Sequence, residues 1–361
     1  MKTASSGKNG PARVVQRETT APMALPLSVL DLVPIPSGST ASDALRRAVD
    51  LGQLADRLGF ARLWYAEHHG MPSIASSSPE IIIGQVAAAT ERIRVGSGGI
   101  MLPNHAPLLV AERFHTLEAL FPGRIDLGIG RAPGTDPAHV RALRSFDAEG
   151  FPHQLGELVA LSRGAFAPDH PFASVRVTPG GVDLPPVWLL GSSGASAEFA
   201  GTNGLGYAFA SHFSPTPAAP ALRAYRAAFA PSEAFPQPHA VLAAAVVCAE
   251  TDEEARRLAS TMELAWARIR TGRFEPLPSP EEALAHTYSP AEEHAVALYR
   301  QIAVVGSPET VRAEIERRAE AAGADEVMVT TNVYDPEARL RSFGLLADAF
   351  ELEPRSGLAL A

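Results

Sequence analysis

The residues best suited to chemistry are three titratable side chains in a row, Glu67, His68 and His69. They directly follow an apolar and aromatic run, residues 62–66, that is typical of a buried strand. Because successive strand residues face opposite sides, at most two of the three side chains can face the same way. A buried strand that ends on groups able to exchange protons places chemistry at the rim of a core. The alternative is an ordinary strand end with solvated polar side chains.

A glycine pair, Gly98-Gly99, lies inside another strand-like pattern. Glycine weakens a strand, and there it usually marks a bulge or the close approach of a ligand. A flat ring resting on the backbone would need this absence of side chains, whereas a bulge would only bend the strand. The pattern alone leaves both interpretations open.

Small and hydroxyl residues stand where a helix should begin, in the run Gly191-Ser192-Ser193-Gly194-Ala195-Ser196. Free N–H groups at a helix N-terminus bind phosphate and serines add donors, although an ordinary serine cap has the same composition. Arg131, just past a Gly-x-Gly turn, supplies a matching positive charge. Together these segments indicate a phosphorylated cofactor whose ring lies over Gly98-Gly99.

The elements that must position these residues alternate regularly. Eight apolar runs predict strands at 27–32, 62–66, 93–102, 124–129, 186–190, 206–210, 241–249 and 326–331. Helical patterns occur at 40–58, 79–90, 107–120, 137–165, from 192, 217–229, from 251, 308–322 and 336–350. This alternation predicts a parallel sheet. Eight units in one run favour an α/β fold of the (β/α)8 TIM barrel type, with insertions, over an open doubly wound sheet.

In such a barrel the active site lies at the carboxyl ends of the strands. The residues with chemical potential follow the second, third, fourth and fifth predicted strands, which indicates one shared site. In chain order they are Glu67, His68, His69, Gly98, Gly99, Asn104, His105, Gly130, Arg131, Gly191, Ser192 and Ser193.

Composition excludes several classes of function. The chain of 361 residues carries a net charge of −9, which argues against nucleic acid or an anionic membrane as the main partner. The single cysteine, Cys248, is incompatible with a disulfide framework or a thiolate metal site, and its apolar surroundings are typical of a core. No apolar stretch of the sequence reaches the length of a membrane span. We predict a cytoplasmic protein.

The chain divides into one large segment and two ends. Residues 1–24 lack the hydrophobic region of a signal peptide and predict a disordered leader. Residues 25–352 predict one barrel domain, and residues 353–361 a tail. Stretches rich in Pro and Gly predict insertions near 168–186, with a short hairpin, and near 273–300, as a lid.

Three familiar motifs do not fit. The run beginning at Gly128 lacks the third glycine of a dinucleotide fingerprint. Neither glycine–serine run has the pattern of a nucleophile elbow. His68 and His69 are adjacent, so they face apart, and the first strand ends without a histidine. We therefore predict no metal site.

Four segments together resemble the bacterial luciferase-like family of flavin-dependent monooxygenases. They are Trp-Tyr-Ala-Glu-His-His at 64–69, Val-Gly-Ser-Gly-Gly-Ile-Met-Leu-Pro-Asn-His at 95–105, Pro-Gly-Arg-Ile-Asp-Leu-Gly-Ile-Gly-Arg at 122–131, and Leu-Gly-Ser-Ser-Gly-Ala-Ser-Ala-Glu at 190–198. The resemblance extends over residues 27–350, and the combination is specific although no single segment is. The fold of that family, a (β/α)8 barrel, agrees with the alternation of elements.

The resemblance implies a cofactor and a reaction. Reduced FMN would bind at the carboxyl ends of the strands and react with O2 to form a C4a-peroxyflavin. This species would then oxygenate a small organic substrate. His68 would be the catalytic histidine, beside Glu67, and a non-prolyl cis peptide bond under the flavin ring would fall at Gly98-Gly99. The luciferase cysteine near the flavin is matched by Gly130, so light emission is not implied. The implied cofactor-binding residues are Gly98, Gly99, Asn104, Arg131, Gly191, Ser192, Ser193 and Ser196.

The resemblance also bears on partners and alternatives. The sequence shows no nicotinamide site, so we expect a separate flavin reductase to deliver reduced FMN, and we expect a homodimer. One alternative is an F420-dependent oxidoreductase of the same superfamily, which transfers hydride without O2. The polyglutamate tail of F420 favours Lys and Arg, which residues 192–203 lack. Another alternative is a non-catalytic flavin-binding protein, which would not need the Glu67-His68 pair.

Overall fold

The computed structural model describes residues 25–143 and 147–353. Its strands are β1 (Leu27–Asp31), β2 (Arg62–Tyr65), β3 (Arg94–Ser97), β4 (Ile100–Met101), β5 (Ile125–Gly130), β6 (Val187–Gly191), β7 (Gly206–Ala210), β8 (Ala240–Cys248), β9 (Val304–Gly306) and β10 (Glu326–Thr330). They are joined in the order β10-β1-β2-β3-β5-β6-β7-β8, and a parallel pairing of β8 with β10 closes the ring. The predicted (β/α)8 barrel is therefore confirmed. The predicted leader, and the tail beyond residue 353, lie outside the described residues.

Helices connect the strands and cover the barrel. They are α1 (Ala41–Leu58), α2 (Pro79–Ala88), α3 (Pro107–Leu120), α4 (Pro137–Leu143), α5 (Phe151–Arg163), α6 (Gly194–Thr202), α7 (Ala218–Ala228), α8 (Asp252–Arg270), α9 (Pro280–Ala285), α10 (Pro290–Ile302), α11 (Pro308–Ala322) and α12 (Pro336–Ala349). The sequence defines their ends locally: α1 begins with a capping box between Thr40 and Asp43, and Gly59 ends it at a φ of 88°. Within the described residues, none of these helices has the length and apolar character to cross a membrane.

The prediction of one continuous strand at 93–102 was wrong. β3 ends at Ser97, and β4 resumes at Ile100 before a 3-10 turn over Leu102–Asn104. β3 and β4 both pair with β5, so the interruption at Gly98-Gly99 displaces the chain without leaving the sheet.

Three other local predictions also need correction. The hairpin within 168–186 is wrong, because that segment contains turns and no strand. Its prolines lack the N–H that a ladder requires. The single predicted helix at 137–165 consists of two helices, α4 and α5. The insertion near 273–300 contains α9 and α10 and is followed by β9, an unpredicted strand that pairs with the end of β8.

Side chains fill the barrel unevenly along its axis. Trp64 and Trp188 pack edge to face in the interior, with ring centroids 5.4 Å apart, and fill its middle. Nearer the carboxyl ends, Ala66, Ala208 and Ala243 are small, although the row of Trp188 continues with Leu190. The two large rings therefore close the middle of the barrel, and above them the interior wall is made of small side chains on β7, on β8 and just after β2.

Candidate active site

Glu67 organises the end of β2, and its side chain is only 1% exposed. Its Oε1 accepts from His69 Nε2 at 2.9 Å, and its Oε2 from the backbone N–H of Met101 at 2.8 Å. His105 Nε2 lies 3.0 Å from both oxygens, and Asn104 Nδ2 donates to Oε1 at 3.2 Å. Burial would raise the pKa of Glu67, but the hydrogen bonds from His105 and His69 outweigh it and lower the pKa to about 2. Glu67 is therefore a fixed anion that ties the end of β2 to the β4 segment.

His68 faces away from this cluster, as the alternation along a strand requires. Its Nδ1 lies 3.3 Å from the carbonyl oxygen of Gly134, and its backbone N–H donates to Ser76 at 2.9 Å. Burial lowers the pKa of His68, partly offset by the hydrogen bond to Gly134 and the charge of Glu67. A neutral ring with Nδ1–H bonded to Gly134 leaves Nε2 as a free acceptor. Glu67 and His68 are neighbours in sequence, but no hydrogen bond joins their side chains.

The glycines at the ends of β3 and β5 bring two backbones into close contact. The peptide bond between Gly98 and Gly99 is cis, as the resemblance implied. A Cβ added to Gly99 would lie 2.7 Å from the Gly128 carbonyl oxygen, and one added to Gly128 would lie 2.0 Å from that of Ser97. Neither position has space for a side chain, so this wall of the mouth is bare backbone.

Gly130, the position that matches the luciferase cysteine, is also confined. A Cβ there would lie 2.6 Å from Cε and 2.9 Å from Sδ of Met101. The thioether of Met101 therefore fills the space that a cysteine would take. Because this thioether is the far end of a flexible side chain, it can shift to make room, so packing alone does not require glycine at this position.

Arg131 and the beginning of α6 are brought together by the register of the sheet. Ile129 pairs with Leu189, so two residues further along Arg131 lies level with Gly191. Arg131 is exposed and makes no hydrogen bond or ion pair with any residue between 25–143 or 147–353. A cation without a partner beside a helix N-terminus is suited to bind an anion.

The three serines of residues 191–196 differ in their hydrogen bonds. Ser193 caps α6 and accepts from the backbone N–H of Ser196. The Ser196 hydroxyl donates to the Ser193 carbonyl at 2.9 Å and contacts the Tyr207 hydroxyl at 2.9 Å. Ser192 has no partner among the described residues. Arg131 and Ser192 are therefore the free groups, while Ser193 and Ser196 already hold the turn together.

Three polar atoms at the barrel mouth are buried without a hydrogen-bond partner in the described part of the chain. They are Asn104 Oδ1, His212 Nδ1 and Asn332 Oδ1. Buried polar atoms are nearly always paired, so such a group calls for a ligand or a water molecule. The sequence pointed to Asn104 but not to His212 or Asn332. Each of these two lies two residues beyond a strand, β7 and β10, and that position was the available signal.

The structure thus gathers the predicted residues into two adjacent groups. Glu67, His69, Asn104 and His105 form one hydrogen-bonded cluster behind the mouth. Arg131 and the 191–196 turn form the other, and bare backbone at Gly98-Gly99 lies between β2 and β5. No group of three or more His, Cys, Asp or Glu suited to a metal ion occurs among the described residues. This arrangement makes the carboxyl ends of the strands the candidate active site.

Comparison with known proteins identifies the family. The family model for luciferase-like monooxygenases matches residues 25–326, and the chain belongs to this family. A luciferase-like monooxygenase of Escherichia coli (strain K12) is 42% identical over 327 residues, covering 90% of this chain and 96% of the relative. The N-acetyl-S-alkylcysteine monooxygenase of Bacillus subtilis (strain 168) is 34% identical over 328 residues, covering 90% and 97%. The protein is therefore a monooxygenase of the luciferase-like family.

Solved structures agree with this assignment. Apo-MsnO8 superimposes with a TM-score of 0.81 at 40% identity, covering 92% of this chain and 99% of that one. The oxygenating constituent of 3,6-diketocamphane monooxygenase from Pseudomonas putida, in complex with FMN, gives a TM-score of 0.68 at 20% identity. An F420-dependent secondary alcohol dehydrogenase gives 0.62 at 16% identity. The last two show the fold alone.

Proposed function

We propose that the protein is an FMN-dependent, two-component monooxygenase that uses reduced FMN and O2 to oxygenate a small organic substrate. The observation that carries this proposal is Arg131, an unpaired cation level with Gly191 beside the N-terminus of α6. Together with the free Ser192 hydroxyl and the N-terminus of α6, it supplies a positive charge and hydrogen-bond donors suited to one phosphate. FMN has one phosphate.

The residues between this anion site and His68 fit a flat ring. The backbone at Gly98 and Gly99 has no side chain to hold the ring away, and the alanines of the interior rows leave space beside it. Asn104, whose Oδ1 lacks a partner, lies at the same rim. The cofactor-binding residues are therefore Gly98, Gly99, Asn104, Arg131, Gly191, Ser192, Ser193 and Ser196, with the last two shaping the turn.

The bound flavin would supply the oxygen chemistry, and the protein residues would orient it and move protons. His68 Nε2 is the acceptor that faces the mouth, so His68 is the residue we assign to proton transfer at the flavin. Glu67 is a positioning residue here, because all its contacts hold His69, Asn104, His105 and the Met101 backbone. The α9–α10 insertion excludes water from one side: Leu277 pairs with the segment after β1, where Ser37 N–H donates to the Leu277 carbonyl at 2.9 Å.

The absence of a nicotinamide motif supports a separate reductase as the source of reduced FMN, and a homodimer is the proposed assembly. The F420-dependent alternative predicts extra cations beside the anion site for a polyglutamate tail. Residues 192–203 contain none, which favours FMN. A flavin-binding protein without turnover would not explain a neutral histidine with a free Nε2 at the mouth.

The test is anaerobic titration of the protein with reduced FMN and with reduced riboflavin, which lacks the phosphate. We expect Arg131→Ala to weaken FMN binding by about 10- to 100-fold, the range for a hydrogen bond to a charged group, and to leave riboflavin binding unchanged. Arg163→Ala, which removes another exposed arginine, is the matched control. Equal loss for both flavins would contradict the phosphate assignment.

Oxygenation is tested on the same complexes. Mixed with aerated buffer, the wild-type complex should return to oxidised FMN only after a delay, and His68→Ala should shorten that delay. Return as fast as free reduced FMN in the wild-type protein would contradict the proposed monooxygenase. Parallel titration with reduced F420 separates the alternative cofactor.

A further inference from the structure

Two histidines follow strands whose interior residues line the barrel. After β2, the interior row of Trp64 and Ala66, which belong to the interior cluster, continues with His68 at the same spacing. Because alternate residues of an extended chain face the same side, the His68 imidazole is directed into the mouth. The interior row of β7 includes Ala208, also in that cluster, and His212 lies in the turn two residues beyond the carboxyl end of this strand.

The two histidines stand on opposite sides of that mouth. In the closed ring, β2 and β7 are separated by three strands in either direction, β3, β5 and β6 one way and β1, β10 and β8 the other. A positive charge on His68 would lower the pKa of His212, so the two rings influence each other electrostatically across the mouth. A molecule held between them would contact one imidazole on each side.

His212 has an unsatisfied hydrogen-bonding atom at this place. Its Nδ1 is buried and has no partner within the described ranges. The ring neighbour is apolar, an edge contact with Phe213 at 4.7 Å between centroids. Burial, with a smaller effect of His68, lowers the pKa of His212 to about 4, so the ring is neutral near pH 7. A neutral imidazole can donate through one nitrogen and accept through the other.

The surroundings decide what kind of group this nitrogen would bind. The interior residues below it, Ala66, Ala208 and Ala243, are small and apolar. A neutral ring in such a wall favours a neutral polar group, because a charged group would be desolvated without an opposite charge. Arg131, the unpaired cation described above, directly follows β5, which is two strands away from β7.

We propose that His212 selects the organic substrate, through a hydrogen bond from Nδ1 to a neutral ketone or hydroxyl group on a small, otherwise apolar molecule held opposite His68. This rests on the proposed function, because it takes the flavin site as the place where that molecule reacts. His212 is then a specificity-determining residue, distinct from His68 and from the groups that hold the phosphate.

The test compares three ring compounds of nearly the same shape, cyclohexanone, cyclohexanol and methylenecyclohexane. Their dissociation constants from the FMN-loaded protein are measured through the change in flavin absorbance. We expect the wild-type protein to bind the ketone or the alcohol about 5- to 10-fold more tightly than the hydrocarbon, as for one neutral hydrogen bond. His212→Phe should abolish this preference and leave hydrocarbon binding unchanged. His212→Asn, which keeps a polar atom near the position of Nδ1, should restore most of it.

The possible results separate this inference from the proposed function. If FMN binds normally but the wild-type protein shows no preference, or if His212→Phe retains it, the inference is overturned and the proposed function stands. If the wild-type protein does not bind FMN, both are overturned. The affinity for FMN, expected to change less than about twofold in both variants, shows that each variant is folded.

Discussion

The two ends of the barrel differ in whether their buried polar groups have hydrogen-bond partners. At the amino ends of the strands, which we call the base, Arg62 donates to Asp126 at 2.8 Å and to Glu326 at 2.8 and 3.1 Å. At the carboxyl ends, the mouth, Asn104, His212 and Asn332 each keep a buried polar atom without a partner in the described residues. At the base, the buried charges of Arg62, Asp126 and Glu326 are paired with one another, whereas the mouth presents separate unpaired polar atoms.

The base network is extensive. Glu326 also accepts from Ser28 and from His239 Nε2, while Asp126 accepts from Trp64 Nε1 and from Arg94. Burial would raise the pKa of Glu326, but the charge of Arg62 and the hydrogen bonds from His239 and Arg62 lower it to about 2. Among the described residues on this side of the barrel, three buried atoms lack a hydrogen-bond partner: Trp188 Nε1 in the interior, and Arg92 Nε and Glu118 Oε2 beside the network. Beneath the network a cavity of about 570 Å³ opens at the base, and Trp64 and Trp188 separate it from the mouth.

This difference shows which end serves stability and which serves binding. A polar atom that is paired within the chain contributes to folding, and one left unpaired is available to a ligand. The comparison therefore predicts that substitutions at the base alter the free energy of unfolding most, and that substitutions of unpaired atoms at the mouth alter it least.

The largest effect is expected at Glu326. Replacement by Ala leaves the Arg62 guanidinium buried and only partly paired, and we expect a loss of about 3–5 kcal/mol in the free energy of unfolding. Urea denaturation measures it. Glu316→Ala is the matched control, because it removes an exposed partner of Arg312 and should cost less than about 1 kcal/mol. Equal losses for the two variants would show that the base network does not stabilise the barrel.

Glu67 differs from the unpaired residues of the mouth because both its carboxylate oxygens are hydrogen-bonded. Glu67→Gln should therefore lower the free energy of unfolding less than Glu326→Ala does, but more than substitution of an unpaired mouth residue does. A pKa lowered from 4.5 to about 2 corresponds to about 3 kcal/mol of stability near neutral pH. Because the pKa is lowered on folding, this contribution is complete above pH 4.5 and is lost as the pH falls towards 2.

The measurement is urea denaturation of the wild-type protein and the Glu67→Gln variant between pH 6 and pH 3. The difference between their free energies of unfolding should shrink below about pH 4.5, because Glu67 of the unfolded wild-type chain takes up a proton there while the folded carboxylate stays ionised. A difference that stays constant over this range would mean that the hydrogen bonds from His69 and His105 do not depend on the charge of Glu67.

The same comparison shows what sequence could predict. The mouth was accessible because its residues follow strands in short, recognisable runs, and the alternation along β2 already required Glu67 and His68 to face apart. The base network could not be predicted from the sequence, because Arg62, Asp126 and Glu326 resemble ordinary polar residues in or at the ends of strands. Only the pairing of β10, the last strand, with β1, the first, brings Arg62 to Glu326, across 264 positions in the chain.

His212 and Asn332 escaped prediction for a related reason. Each is a single polar residue in a connection after a strand, without a second chemical group beside it in sequence. Their significance depends on burial and on a missing partner, which are properties of the folded chain. The overprediction of a hairpin at 168–186 has the opposite origin, since local turn residues were present but no partner strand could accept a proline-rich segment.

The smallest effect on folding is expected for Asn332→Ala. Asn332 Oδ1 has no partner in the described residues, and Nδ2 makes one hydrogen bond, to Thr330 Oγ1 at 3.2 Å. The free energy of unfolding without ligand should therefore change by less than about 1 kcal/mol, because the loss of one weak hydrogen bond is offset by removal of an unpaired atom.

The effect of Asn332→Ala on ligand binding is measured through the thermal midpoint of unfolding, with and without saturating reduced FMN under anaerobic conditions. Reduced FMN should raise it less in the variant than in the wild-type protein, since a ligand stabilises the folded state in proportion to its affinity. Equal shifts would place Asn332 outside the ligand site, and a large loss without ligand would assign it to folding, as at the base.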